Sequence, residues 1–405
     1  MKVIAPNKIT SNTVEVPTSK SIANRLLIMQ ALAGEGKIKN LSRADDTVVL
    51  QEMLTNLPDT LNVGHAGTAF RFLTAFLAIT NGSWILTGSD RMKKRPIFPL
   101  VDALQQLGAD IEYLESEGFP PLKINGKSLN GGEVTVDSSM SSQFISALMM
   151  IGPKLKNGLS MNTSGKTVSV SYIEMTKKLM QQCGAKLNSI AGKIEIQHSN
   201  YDFGTIEVEK DWSSISFWYE MVLIGKIEHL LINEVVEDSI QGDAYVQELF
   251  KPFGIESKFD SEGLHLRYNT PVTELPAKID LNSTPDLTQP FIVAMAAIGH
   301  EIEITGIQHL RHKETDRAEA LKIELAKFGA ELLVSNSSLT LKKGTTHNSK
   351  IAIKTYQDHR MAMAFAPLAW MYDGIEIENP EVVAKSYPDF WIQLEKLGFI
   401  FTTVS

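Results

Sequence analysis

The chain has 405 residues, 43% hydrophobic and 21% charged, with 39 basic against 47 acidic side chains and a net charge of -8. This is the balance of a globular chain with material for two domains, and it excludes a nucleic-acid binder that works through bulk positive charge. The single cysteine, Cys183, excludes an intrachain disulfide and a cysteine metal cage. The opening Met1-Lys2-Val3-Ile4-Ala5-Pro6 has no signal-peptide core and no apolar run reaches membrane-span length, so a cytoplasmic protein without membrane contact is expected.

Six almost wholly apolar runs of helical length follow one another. They are residues 26–32, 70–79, 144–151, 215–224, 291–298 and 361–371. Each is entered through residues that cap helices: Ser19 and Ser21, Thr68, Ser141 and Ser142, Ser213 and Ser214, Thr284 and Asp286, and Asp358. Helices that are apolar all round are buried. The entry points near 21, 68, 141, 213, 286 and 358 lie 47, 73, 72, 73 and 72 residues apart, so six copies of one supersecondary unit are expected.

Between these runs a second, amphipathic helix recurs and stops on glycine, at 103–109, 178–185, 247–254, 324–330 and 393–398. Glycine just past a helix supplies the left-handed C-cap. Alternating segments such as 193–197 and 339–342 read as half-exposed strands. Each repeat is therefore strand, buried helix, strand, surface helix, strands. The first repeat is about 25 residues short (47 against 72–73) and is predicted to have lost a strand pair, with residues 48–56 as its surface helix. Six buried helices point to an α/β protein of two domains with three repeats each, the helices parallel and covered by sheets. A buried helix N-terminus carries unpaired N–H groups and about half a positive charge, so such tips favour anions.

The helix tips also carry cations. Lys20 and Ser21 stand at the first, with Arg25 one turn on. Gly67 and Arg71 stand at the second, Ser141, Ser142 and Gln143 at the third, and Asp358, His359 and Arg360 at the sixth. Loops add Arg95, the run from His312 to Arg317, and Lys385. Taken singly, Lys20 reads as a surface residue, Ser141-Ser142 as a plain cap and 312–317 as a solvated helix start. Their recurrence at equivalent places points to a common site for an anionic substrate bearing phosphate and carboxylate, which arginine forks match. Asp286 and Glu314 are the carboxylates among the cations and the candidates for general base and acid. No metal-ligand spacing, phosphate-binding glycine loop or nucleophile elbow is present, so neither a metal nor a cofactor is expected.

The strings Pro17-Thr-Ser-Lys-Ser-Ile-Ala-Asn-Arg25, His65-Ala-Gly-Thr-Ala-Phe-Arg71, Arg91-Met-Lys-Lys-Arg-Pro96, Ser141-Ser-Gln143, Lys313-Glu-Thr-Asp-Arg317 and Asp358-His-Arg-Met-Ala-Met363 resemble the 5-enolpyruvylshikimate-3-phosphate synthase family of enolpyruvyl transferases over residues 1–400. The resemblance implies an inside-out α/β barrel in each of two domains, residues 18–210 and residues 1–17 with 211–405, that close like a clamp. It implies a monomer that transfers the enolpyruvyl group of phosphoenolpyruvate to the 5-hydroxyl of shikimate 3-phosphate and releases phosphate. By motif, Lys20 contacts both substrates. Ser21, Arg25, Ser141, Ser142, Gln143, Ser169, Tyr172 and Lys313 hold shikimate 3-phosphate, and Gly67, Arg95, Arg317, Arg360 and Lys385 hold phosphoenolpyruvate. Arg71, His309 and His359 complete the binding set. Asp286 takes the hydroxyl proton and Glu314 protonates the methylene carbon.

This chain has His65 and His309 where the family usually has Asn, Thr18 for a usual Gly, Val170-Ser171 for Lys-Pro, and Phe72 for Pro. The related UDP-N-acetylglucosamine enolpyruvyl transferase usually presents a loop cysteine, whereas Cys183 falls on a surface helix as a small, partly buried residue. A noncatalytic anion binder on the same scaffold is the reading from another class. Lys20, Asp286 and Glu314 together argue against it, because a binder needs no acid–base pair.

Overall fold

The computed structural model describes residues 1–137, 141–164, 169–190, 192–313, 315–343 and 351–403, with the backbone alone at 164, 190, 309 and 312. Contacts divide the chain into two compact domains. Domain N is Thr18–Val208, and domain C is Met1–Pro17 with Glu209–Ser405. The six apolar runs form helices α1 (Lys20–Ala33), α2 (Gly67–Ile79), α3 (Ser142–Ile151), α4 (Trp212–Gly225), α5 (Thr288–Ile298) and α6 (His359–Phe365). In domain N, α1, α2 and α3 pack on one another. In domain C, α5 packs between α4 and α6. Side chains around most of their circumference are buried, such as Phe70, Phe72, Leu73 and Phe76 of α2. Each large apolar side chain so enclosed contributes about 1.5–3 kcal/mol, so the burial outweighs any weakness in helix propensity.

The described residues form five four-stranded sheets and one two-stranded sheet. In Thr60–Asn62, Gly82–Thr87, Leu122–Gly126 and Asp110–Tyr113, the first two strands are parallel and the rest antiparallel. The parallel pair is joined through α2, because parallel strands need a crossover and a buried helix supplies it. The same order recurs around α3 and α5. Around α6, the third strand is the start of the chain: Lys2–Ile4 lies between Ile375–Ile377 and Ile400–Thr402. Around α4, the crossover begins at Thr13–Val14, and all of domain N intervenes before the parallel partner Leu230–Asn233. The first repeat holds only Lys37–Lys39 parallel to Thr205–Glu207, so the trimmed spacing does correspond to a missing strand pair. Its surface helix is Asp45–Asn56.

The glycines that stop the surface helices, Gly108, Gly184, Gly254, Gly329 and Gly398, all have φ between +76° and +98°. A Cβ is disfavoured there, which is why the stop residue repeats. Three expectations need correction. The sixth run is α-helical only to Phe365 and continues as the 3-10 turn Ala366–Trp370, since Pro367 cannot supply a helical N–H. The caps of α2 and α4 are Ala66 and Asp211 rather than Thr68 and Ser213. At the fifth tip, Pro285–Leu287 forms a 3-10 turn before α5, and neither Thr284 nor Asp286 caps through its side chain. No described helix is long and apolar enough to cross a membrane.

Candidate active site

In domain N, the tips of α1, α2 and α3 lie together. Ser19 caps α1 by accepting from the Ile22 amide, and Ser141 caps α3 by accepting from the Gln143 amide at 3.2 Å. Gln143 Nε2 donates to Thr68 Oγ1 at 3.0 Å, so the tips of α2 and α3 are at the same end. Lys20 Nζ lies 3.4 Å from the buried Asp46 carboxylate. Ser142 is buried in the first turn of α3. Ser169 is also buried, with φ +54°, a left-handed conformation uncommon for serine and characteristic of functional turns.

Arg25 is 1% exposed. Its guanidinium donates to Thr176 Oγ1 at 2.6 Å, the Ser21 carbonyl at 2.9 Å, Ser146 Oγ at 3.2 Å and the Tyr172 carbonyl at 3.5 Å. The rings of Phe72 and Tyr172 flank it at 5.3 and 5.9 Å. All four acceptors are neutral, and burial pulls its pKa down to about 10. A cation enclosed without a carboxylate among the described residues suits an anion supplied from outside. Arg71, buried over the Phe144 ring at 5.3 Å, donates to the Gly67 carbonyl at 2.9 Å. A Cβ on Gly67 would collide with Arg95 Nη1 and lie 2.9 Å from Arg95 Cζ and from Arg71 Nη1. Arg95 Nε is enclosed and has no hydrogen-bond partner among the described residues. Two guanidinium groups thus converge over one glycine. His65 is exposed, with Nδ1 2.9 Å from Ser89 Oγ.

In domain C the tips of α5 and α6 are tied by an ion-pair network. Asp286 Oδ1 accepts from Arg317 Nη1 at 3.0 Å and lies 3.7 Å from Lys313 Nζ, while Oδ2 is 3.2 Å from Arg360 Nη2. Arg360 Nη1 donates to the Asp286 carbonyl at 2.9 Å. Asp358 is fully buried. It caps α6 through the Arg360 amide at 2.9 Å and accepts from Arg317 Nε at 2.7 Å. His359 is buried beside it, with Nδ1 3.7 Å from Asp358 Oδ1. Lys385 ends the 3-10 turn Pro380–Lys385 and is half-buried. Glu314, and the side chain of His309, lie outside the described residues.

Several participants were not found from sequence. Asp46, which no motif marks, balances Lys20, and Asp358, placed in the sequence only as a cap, balances Arg317. Thr176 and Ser146 face Arg25 from helices distant in sequence. Asp243 accepts a hydrogen bond from Ser213 Oγ at the α4 tip, which carries no cation. Burial and then the charge of Asp286 push its carboxyl up to about 6 from 3.8. Between those values the folded chain holds a proton that the unfolded chain has lost. The contribution of this group to stability is therefore present below about pH 4 and is lost as pH rises to about 6. The urea midpoint of the natural chain relative to that of Asp243→Asn should fall across that window. Cys183 is fully buried rather than partly so, and burial raises its thiol to about 12, so it is no nucleophile.

The architecture agrees with three comparisons with known proteins. Residues 50–394 match the model of the family described as EPSP synthase (3-phosphoshikimate 1-carboxyvinyltransferase). A 3-phosphoshikimate 1-carboxyvinyltransferase of Bacteroides fragilis is 43% identical, covering 98% of this chain and 97% of that protein. One from Shewanella oneidensis is 35% identical over 95% and 96%. An EPSP synthase structure from Acinetobacter baumannii shares the fold with TM-score 0.78 at 21% identity, covering 99% of both chains. The enolpyruvyl transferase NikO of Streptomyces tendae does so with TM-score 0.75 at 16% identity, over 100% of this chain and 99% of that one. With these matches over nearly its whole length, the chain belongs to the EPSP synthase (3-phosphoshikimate 1-carboxyvinyltransferase) family.

Proposed function

We propose that this protein transfers the enolpyruvyl group of phosphoenolpyruvate to the 5-hydroxyl of shikimate 3-phosphate, acting as a cytoplasmic monomer. The observation that carries the reading is Asp286, a carboxylate at a helix tip held by Arg317, Arg360 and Lys313. Asp286 removes the proton of the 5-hydroxyl as that oxygen bonds to the central carbon of phosphoenolpyruvate. Glu314 delivers a proton to the methylene carbon, and a tetrahedral intermediate forms. Loss of a methyl proton then restores the double bond as the carbon–oxygen bond to phosphate breaks. Lys20 contacts both substrates. Ser21, Arg25, Ser141, Ser142, Gln143, Ser169, Tyr172 and Lys313 hold shikimate 3-phosphate. Gly67, Arg71, Arg95, Arg317, Arg360 and Lys385 hold phosphoenolpyruvate, with His309 and His359 completing the set. The cations position the reactants and stabilise developing negative charge. Arg25 supports the phosphate assignment, since a phosphate supplies the charge its neutral acceptors do not.

Mixing both substrates with the protein, without added metal, should release phosphate well above either single-substrate control. No excess release would refute the proposal. The crowding over Gly67 gives a second expected result. Gly67→Ala should displace Arg95 and raise KM for phosphoenolpyruvate about 10–100-fold, the equivalent of one lost charge-assisted hydrogen bond. KM for shikimate 3-phosphate should change much less. Steady-state kinetics with each substrate varied in turn checks this.

A further inference from the structure

The sheet of Thr13–Val14, Leu230–Asn233, Gly263–Tyr268 and Ile255–Phe259 buries Leu230, Ile232, Leu264 and Leu266 on one face. A row of polar side chains that the reaction does not use lies around its other face. Asn12 Nδ2 is 3.2 Å from His229 Nδ1, and His229 Nε2 is 2.9 Å from His265 Nδ1, with the two rings stacked. His265 Nε2 in turn lies 2.9 Å from Asp260 Oδ2. That nitrogen is enclosed by protein, yet the contact misses hydrogen-bond alignment.

The hairpin turn fixes the acidic partners. Asp260 Oδ1 accepts from the Glu262 amide at 2.8 Å, and the Asp260 amide donates to the Gly263 carbonyl at 3.1 Å, which leaves Oδ2 turned to the histidine. One nitrogen of His265 and one carboxylate oxygen each from Asp260 and Glu262 lie within 4.8 Å of one another. The hairpin of Ile255–Phe259 and Gly263–Tyr268 brings these residues together.

We propose that Asp260, Glu262 and His265 form a binding site for a divalent cation of the zinc class. Zinc bonds of about 2.0–2.2 Å at tetrahedral angles place neighbouring ligand atoms about 3.3 Å apart, so the 2.9 Å contact opens by only about 0.4 Å. An imidazole with two carboxylates suits zinc, nickel or copper, whereas magnesium and calcium prefer an all-oxygen shell. His229 completes the design. With the cation on Nε2 of His265, the ring proton sits on Nδ1 and donates to His229 Nε2. Asn12 then turns its amide to accept from His229 Nδ1. The Asn12–His229–His265 links are kept with the cation bound, and an outer partner of this kind orients a ligand histidine. Lys258 is directly across from His265 in the sheet and is the competing positive charge, but Glu256 engages it at 2.9 Å.

The test is isothermal titration of the full-length, chelator-treated protein with ZnCl2, alongside the variants His265→Ala, Glu262→Gln and His229→Ala. One equivalent should bind the natural chain. His265→Ala and Glu262→Gln should each weaken binding tenfold or more, and His229→Ala by about 10–100-fold. Glu262→Gln removes a ligand from an exposed side chain, so it guards against a folding artefact. Absence of binding to the natural chain overturns the proposal. So does binding that both His265→Ala and Glu262→Gln leave unchanged, or displacement of the zinc by equimolar MgCl2.

Discussion

Alanine at Asp286 is expected to lower phosphate release by about 10²–10⁴-fold, the usual contribution of a positioned general base. The loss should fall on kcat. The cations around the position remain, so both anions still have their partners. Asp286→Asn is the sharper variant, because it keeps the hydrogen-bond acceptor facing Arg317 at 3.0 Å and removes only the charge and the basicity. If basicity is what matters, asparagine fails almost as badly as alanine. If Asp286 only positions Arg317 and Arg360, asparagine restores most of the rate. Single-turnover phosphate release separates these outcomes. Glu314→Gln belongs in the same experiment, with substrate affinity kept and turnover largely lost. Unchanged turnover would remove Glu314 from its assigned step.

The largest effect on folding is expected at Asp358. Its carboxylate is wholly buried, caps α6, and accepts from Arg317 Nε at 2.7 Å and Nη2 at 3.5 Å. Arg317 is itself 2% exposed. Asp358→Ala strands much of a buried guanidinium, and breaking such a pair from one side costs about 3–5 kcal/mol, to which the lost cap adds about 1 kcal/mol. Chemical denaturation should show a fall of that size. Asp358→Asn should lose less, since the amide oxygen can still cap. The double replacement of Asp358 by Ala and Arg317 by Met should recover part of the loss, because neither charge then remains buried alone.

Much of this was legible in the sequence because the signals repeat. A single Ser before an apolar run is weak evidence for a helix start. Six such starts, five of them 72–73 residues from a neighbour, are strong evidence, and the six helices lie where the runs placed them. The glycine stops were legible for the same reason, since the left-handed geometry demands the residue at every copy. What was hidden depends on contacts between distant segments. Nothing near Thr176 marks it as the partner of Arg25, 151 residues away. Asp243 looks like any loop acid until the fold buries it beside the charge of Asp286. The caps of α2 and α4 were misplaced by two residues, the latter where Asp211, Ser213 and Ser214 can each cap. The first turn cannot be told from its cap by residue type alone.

The interrupted crossover of domain C has a consequence for how the chain assembles. The Asp211 amide donates to the Pro17 carbonyl at 2.9 Å, so the two points where the chain leaves and re-enters domain C are adjacent. To domain C, residues 18–208 are one very long loop with touching ends. Closing a loop costs only about 0.6 kcal/mol more for each doubling of its length, so an insertion of this size is thermodynamically tolerable. The burden falls on timing instead. During synthesis Thr13–Val14 waits for Leu230–Asn233, and Lys2–Ile4 waits for the last strand, Ile400–Thr402. Domain N can condense early as a self-contained insert, whereas domain C remains an open seam with unpaired strand edges until residues 400–402 have been made.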